Sequence, residues 1–191
     1  MEHFIDIPKS FHSDGDGKAF ENCLVCGKYL LDGETSYVIE KAMKNYDGYE
    51  FSSTIYEYAI CGNCHLELQK GMSEESILNM QDYYGQKIML AGKHTMTIDL
   101  RTFDLDKWLS KCFFTEKPVG EMKEYQLIGQ FKGNKLLLNT PPMVIGEDII
   151  DDMAGLLSDK TIDEMNGFKE RHLGPPPELE ELIYGRKLIF L

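Results

Sequence analysis

Four of the five cysteines fall in two Cys-x-x-Cys pairs, Cys23-Leu24-Val25-Cys26 and Cys61-Gly62-Asn63-Cys64, separated by residues 27–60. No other feature restricts the fold as strongly. A Cys-x-x-Cys turn aims two sulfurs at one point, and two such turns bring together four, enough to complete a tetrahedral shell with bonds of about 2.3 Å. Soft thiolates in that geometry select zinc or iron. The expectation is one structural Zn2+ per chain on Cys23, Cys26, Cys61 and Cys64. The chain between the pairs must then leave the site and return to it.

A β-hairpin makes that journey economically. Ser36–Met43 and Ser53–Ile60 are rich in β-branched and aromatic residues, and Asn45-Tyr46-Asp47-Gly48 supplies turn chemistry between them. After Cys64 the character changes. His65-Leu66-Glu67-Leu68-Gln69-Lys70 suits a short helix that Gly71 can end. The order knuckle (Cys23-Leu-Val-Cys26-Gly27-Lys28), hairpin, cysteine pair, helix resembles a treble-clef zinc finger over residues 23–71. A zinc ribbon more often carries a glycine after both pairs, and here only Cys26 is followed by one. The resemblance implies a structural zinc site and leaves function open, because that scaffold serves many roles. Treble-clef nucleases of the HNH type place a catalytic histidine on the hairpin, and residues 36–60 contain none. A non-enzymatic interaction or scaffold protein is therefore the first reading, with no catalytic residue assigned. The alternatives are a diverged treble-clef hydrolase or nuclease and an iron-based electron-transfer protein. Cys61-Gly-Asn-Cys64-His65 also has the form of a c-type haem attachment site, a reading that leaves Cys23 and Cys26 without a role.

The 191-residue chain has a net charge of −12 and a sequence pI near 4.8. A field of that sign repels phosphate backbones, so general nucleic-acid binding is not expected. The acid concentrates late: residues 141–183 carry 11 Asp/Glu against 3 Lys/Arg. This region is read as a solvated face, with docking of a basic protein partner as the sharper alternative. No apolar run approaches the roughly 20 residues that cross a bilayer, and no membrane association is expected. Met-Glu-His-Phe-Ile-Asp-Ile-Pro at the N-terminus has neither a basic start nor an apolar segment, so a cytoplasmic setting is expected. There, paired cysteines bind metal more often than they form disulfides.

The rest of the chain reads as α+β: an N-terminal treble-clef-like module followed by a small α/β unit. Residues 1–22 are a lead-in segment with a flexible turn at Ser13–Gly17. Residues 23–95 are the zinc module and a following helix, capped at Ser73 and ending near Gly85. Residues 96–115 are a connecting helix in which Asp104 caps an apolar face of Leu105, Trp108, Leu109 and the fifth cysteine, Cys112. Residues 116–191 are an acidic α+β domain. It has strands at Tyr125–Phe131 and Lys135–Leu138 around Lys132-Gly133-Asn134, helical periodicity at 149–157, and a capping-box helix from Thr161 to about Leu173. A triple proline at 175–177 and a short apolar element at 184–191 close it. The sequence reads as having no internal repeat and no low-complexity tract.

Overall fold

The computed structural model describes residues 3–49, 51–90, 92 and 103–174. Among these, the strands are β1 (Phe4–Asp6), β2 (Ser36–Asn45), β3 (Ser52–Cys61), β4 (Glu124–Lys132), β5 (Lys135–Leu137) and β6 (Met143–Gly146). The α-helices are α1 (Gly62–Gly71), α2 (Glu74–Leu90), α3 (Leu105–Trp108), α4 (Glu147–Ala154) and α5 (Asp159–His172). The strands form one antiparallel sheet in the order β1-β5-β4-β2-β3, with β6 also paired to β4. The architecture is α+β.

The centre of the sheet is the long ladder between β2 and β4, running from Ser36↔Lys132 to Lys44↔Glu124. β2 is buried on both faces, which is why its sequence does not alternate cleanly. Tyr37, Ile39 and Lys41 project to one face and Glu40 and Ala42 to the other. The lead-in segment covers the first face. Phe11 packs edge-on to Phe131 with ring centroids 5.1 Å apart, and Tyr37 stacks on Phe131 at 5.3 Å. The buried Lys41 ammonium lies 2.7 Å from Asp14 and 3.1 Å from Glu57, and it donates to the His12 carbonyl. Ser13 and the Asp14 N–H also bond Glu57, so the turn expected to be flexible is tied to the sheet. On the opposite face the buried Glu40 carboxylate accepts from the Tyr56 and Tyr58 hydroxyls at 2.7 and 2.8 Å. Tyr58 meets Phe168 of α5 at 5.7 Å.

The hairpin strands, the turn at Gly133 and the helix after Ser73 lie where the sequence places them, whereas α1 begins at Gly62, ahead of Cys64, α4 covers Glu147–Ala154, and three further helix boundaries differ. Helix α2 runs through Gly85 to Leu90. An interior glycine costs only about 1 kcal/mol relative to alanine, and Ile88 beyond it packs against the core. Helix α3 stops at Trp108, although Asp104 caps it as expected, accepting from the Lys107 N–H. Cys112 therefore does not share a helical face with Leu105; it sits in the turn that follows. Helix α5 begins at Asp159 with Ser158 as its cap, which moves Thr161 into the first turn. A division near residue 115 falls between β3 and β4, strands of the same sheet. The triple proline and the element at 184–191 lie outside the described residues.

Gly129, opposite Ile39 in the central ladder, gives a direct check on this packing. A Cβ there would stand 2.8 Å from the Phe11 ring and 2.9 Å from Phe131. Gly129→Ala is expected to destabilise the protein by about 1–3 kcal/mol through overpacking, read as a lower urea midpoint. Gly85→Ala, with open space around its position, should hold or raise the midpoint.

Candidate metal centre

The first cysteine pair sits in a tight turn. The Cys23 N–H donates to the Lys28 carbonyl at 2.8 Å and the Gly27 N–H to the Cys23 carbonyl at 2.9 Å. Gly27 has φ +69°, a conformation most side chains avoid, which accounts for glycine at that place. The Leu24 N–H then donates to the Ala59 carbonyl at 2.9 Å, hooking the turn onto β3. The second pair comes from a strand-to-helix junction. Cys61 is the last residue of β3 and the N-cap of α1, and Cys64 lies in the first helical turn. The unpaired N–H groups and positive dipole end of the helix thus face the sulfurs and favour thiolates.

These two elements bring the sulfurs of Cys23, Cys26, Cys61 and Cys64 within 4.8 Å of one another. The Cys26 and Cys61 sulfurs are 3.8 Å apart, and all five cysteines are free thiols. A disulfide would require about 2.05 Å. Bonds of about 2.3 Å to one tetrahedral ion put ligand sulfurs about 3.8 Å apart, so the donor set and its spacing fit a metal ion. Cys23 and Cys61 are buried, Cys64 is half-buried and Cys26 is exposed.

The thiols are electrostatically unequal before any cation enters. Burial opposes ionisation of Cys23, but N–H groups of Cys61, Cys26 and Val25 directed at its sulfur outweigh it and bring its pKa down to about 7. The Cys61 N–H lies 3.3 Å from that sulfur. Burial, followed by the neighbouring sulfurs, pushes Cys61 and Cys64 up. Four charges so close need a cation to coexist, which is the property expected of a thiolate metal site.

All four cysteines singled out in the sequence therefore converge. Cys112 is fully buried and stands apart from the four-sulfur group. His65 is half-buried beside Cys64, and burial lowers its pKa. Sequence reasoning missed the hydrogen bond from the Cys61 N–H to the Cys23 sulfur, which has no signature in residue spacing. No protein family, curated protein or solved structure matches this chain. No described helix is long and apolar enough to cross a membrane.

Substitution separates the four from the fifth. Cys61→Ser should lose most of the bound metal, whereas Cys112→Ser should keep it and lose about 1 kcal/mol of stability from placing a hydroxyl in an apolar site. Elemental analysis of both purified variants checks this. An empty Cys112→Ser protein beside a fully loaded Cys61→Ser protein would refute the ligand set.

Proposed function

We propose that this chain is a non-enzymatic interaction protein in which a treble-clef-type module is held by one structural zinc ion on Cys23, Cys26, Cys61 and Cys64. The observation that carries this reading is the closed donor set. Four thiolates fill a tetrahedral shell and leave no position for water or substrate, whereas catalytic zinc sites keep one open. Zinc then acts as a cross-link between the turn at 23–28 and the β3–α1 junction, and its binding energy is part of the folding energy of the module.

The partner surface proposed is the acidic C-terminal region. Some of its charge is balanced within the fold. Lys117 bridges Glu147 at 2.8 Å, and Asp152 accepts from the Tyr83 hydroxyl at 2.6 Å. Asp151, Asp159, Asp163 and Glu170 are exposed and give the surface its sign. A basic protein segment fits that field and a phosphate backbone does not. A cytoplasmic location is part of the same proposal.

Metal exchange tests the structural role. Chelation should lower the thermal midpoint, and either Zn2+ or Cd2+ should restore it, because a cross-link needs only a thiophilic tetrahedral ion. An unchanged midpoint after complete metal removal would contradict the reading. For the surface, a polylysine peptide should bind at low salt and dissociate near 300 mM, and Asp151→Lys/Asp159→Lys/Asp163→Lys should abolish binding. Equal binding by that variant would place the interaction elsewhere.

A further inference from the structure

Cys112 lies in a turn with the same construction as the cysteine knuckle. Its N–H donates to the Lys117 carbonyl at 2.8 Å, as that of Cys23 does to Lys28. The Glu116 N–H returns to the Cys112 carbonyl at 3.0 Å, as that of Gly27 returns to Cys23. Glu116 has φ +61° against +69° for Gly27, and it is the one described non-glycine residue with positive φ. Isolated bridges close both turns, Asn22 with Tyr29 and Lys111 with Pro118. The Phe113 N–H hooks this turn onto β6 through the Val144 carbonyl at 2.8 Å, as the Leu24 N–H hooks the first onto β3 through Ala59.

The correspondence continues into the hairpins and helices. In β2–β3, Tyr37 pairs with Cys61 and Ile39 with Ala59; in β4–β6, Tyr125 pairs with Gly146 and Leu127 with Val144. Cys61 ends its strand and caps α1 with φ −66° and ψ 155°; Gly146 ends its strand and caps α4 with φ −81° and ψ 164°. After each of these helices comes a second one, opened by Ser73 in α2 and Ser158 in α5. Their sequences then agree in step: Ser73-x-x-Ser76-Ile77-x-x-Met80-x-x-Tyr83 and Ser158-x-x-Thr161-Ile162-x-x-Met165-x-x-Phe168.

The contacts between the halves are reciprocal, as contacts across a two-fold axis must be. The Ser73 N–H donates to the Thr161 hydroxyl and the Ser158 N–H to the Ser76 hydroxyl, both at 2.9 Å. The Ser73 and Ser158 hydroxyls meet each other at 2.7 Å. In the central ladder the middle pair is Glu40↔Ile128. These two residues occupy the same place in their respective hairpins, three positions after Tyr37 and Tyr125.

From these correspondences we infer that residues 111–172 are a second copy of the module at 22–90, related to it by a pseudo-two-fold axis, and that its metal centre has been replaced by apolar packing. Cys23, Cys26, Cys61 and Cys64 map onto Cys112, Thr115, Gly146 and Ile149. Burial follows the mapping: Cys112 and Gly146 are buried like Cys23 and Cys61, and Thr115 is exposed like Cys26. Ile149 has left the half-buried state of Cys64 and is 1 % exposed. Met122 takes the room a side chain at Gly146 would need, its sulfur 3.0 Å from the position of a Cβ there. Cys112 is thus a surviving ligand position that now serves as a small core residue. The second copy keeps its turn through hydrogen bonds and the Cys112, Met122 and Ile149 packing, where the first uses four sulfurs. The correspondence rests on backbone geometry and register and does not depend on which metal the first copy holds.

Restoring the donors tests this. Met122→Ala/Thr115→Cys/Gly146→Cys/Ile149→Cys, titrated with Co2+ beside the wild-type protein, should bind one further equivalent. Its sulfur-to-cobalt charge-transfer absorbance should be about double that of the wild type. A folded variant that binds no more Co2+ than the wild type overturns the inference, whereas a wild-type chain that binds none counts against the first centre only. Should the variant fail to fold, hydrogen exchange of the wild-type chain decides. Phe113 and Glu116 amides should be protected and remain so after chelation, while Leu24 protection is lost. Exchange of Phe113 and Glu116 at the rate of unstructured chain would overturn the inference.

Discussion

The convergence of four cysteine sulfurs inside 4.8 Å is the constraint on which the N-terminal half depends. With the Leu24 N–H to Ala59 hydrogen bond, it ties the turn at 23–28 to the end of β3 and the start of α1. From α1 the chain continues into α2, and Ser73 ahead of it meets Ser158 and Thr161 at the start of α5. Spread apart, four thiols are unremarkable polar groups. Held together they are too close to ionise jointly without a cation, and that is the physical reason to regard the site as built for a metal.

The second constraint is the β2–β4 ladder, which makes one sheet of both halves. Its two faces are closed in different ways. One carries Lys41 against Asp14 and Glu57 beneath the lead-in segment, and the other carries Glu40 beneath α5 with two tyrosine hydroxyls. Burial raises the pKa of both Tyr56 and Tyr58, with the Glu40 charge adding to it, so both stay protonated as donors. Removing one member of such a group weakens the pairing of a buried charge or hydroxyl and destabilises the fold.

How much of this was legible in the sequence depended on range. Cysteine spacing located the site, because Cys-x-x-Cys geometry is local and the gap between the pairs suited a hairpin. The Gly133 turn and the Asp104 cap were equally local. Gly85 reads as the end of α2, but a glycine marks a boundary only when nothing beyond it packs, and Ile88 does. The spacing of Leu105, Trp108 and Leu109 puts Cys112 on a helical face, while the turn that holds it is specified by backbone hydrogen bonds. The pairing of β2 with β4 joins residues far apart in sequence, and no local pattern announces it. The repeat was hidden because three of four metal-site positions differ in the second half. Its clearest trace is the Ser-x-x-Ser/Thr-Ile-x-x-Met pattern at 73–80 and 158–165, which is short enough to pass as ordinary helix chemistry.

The most direct test of the metal centre is X-ray absorption at the zinc edge on protein purified without chelator. Four sulfur scatterers at about 2.3 Å and no nitrogen or oxygen in the inner shell are the expected result. Absence of zinc, or a shell containing oxygen or nitrogen donors, would contradict a closed four-cysteine zinc site and with it the structural role proposed for this centre.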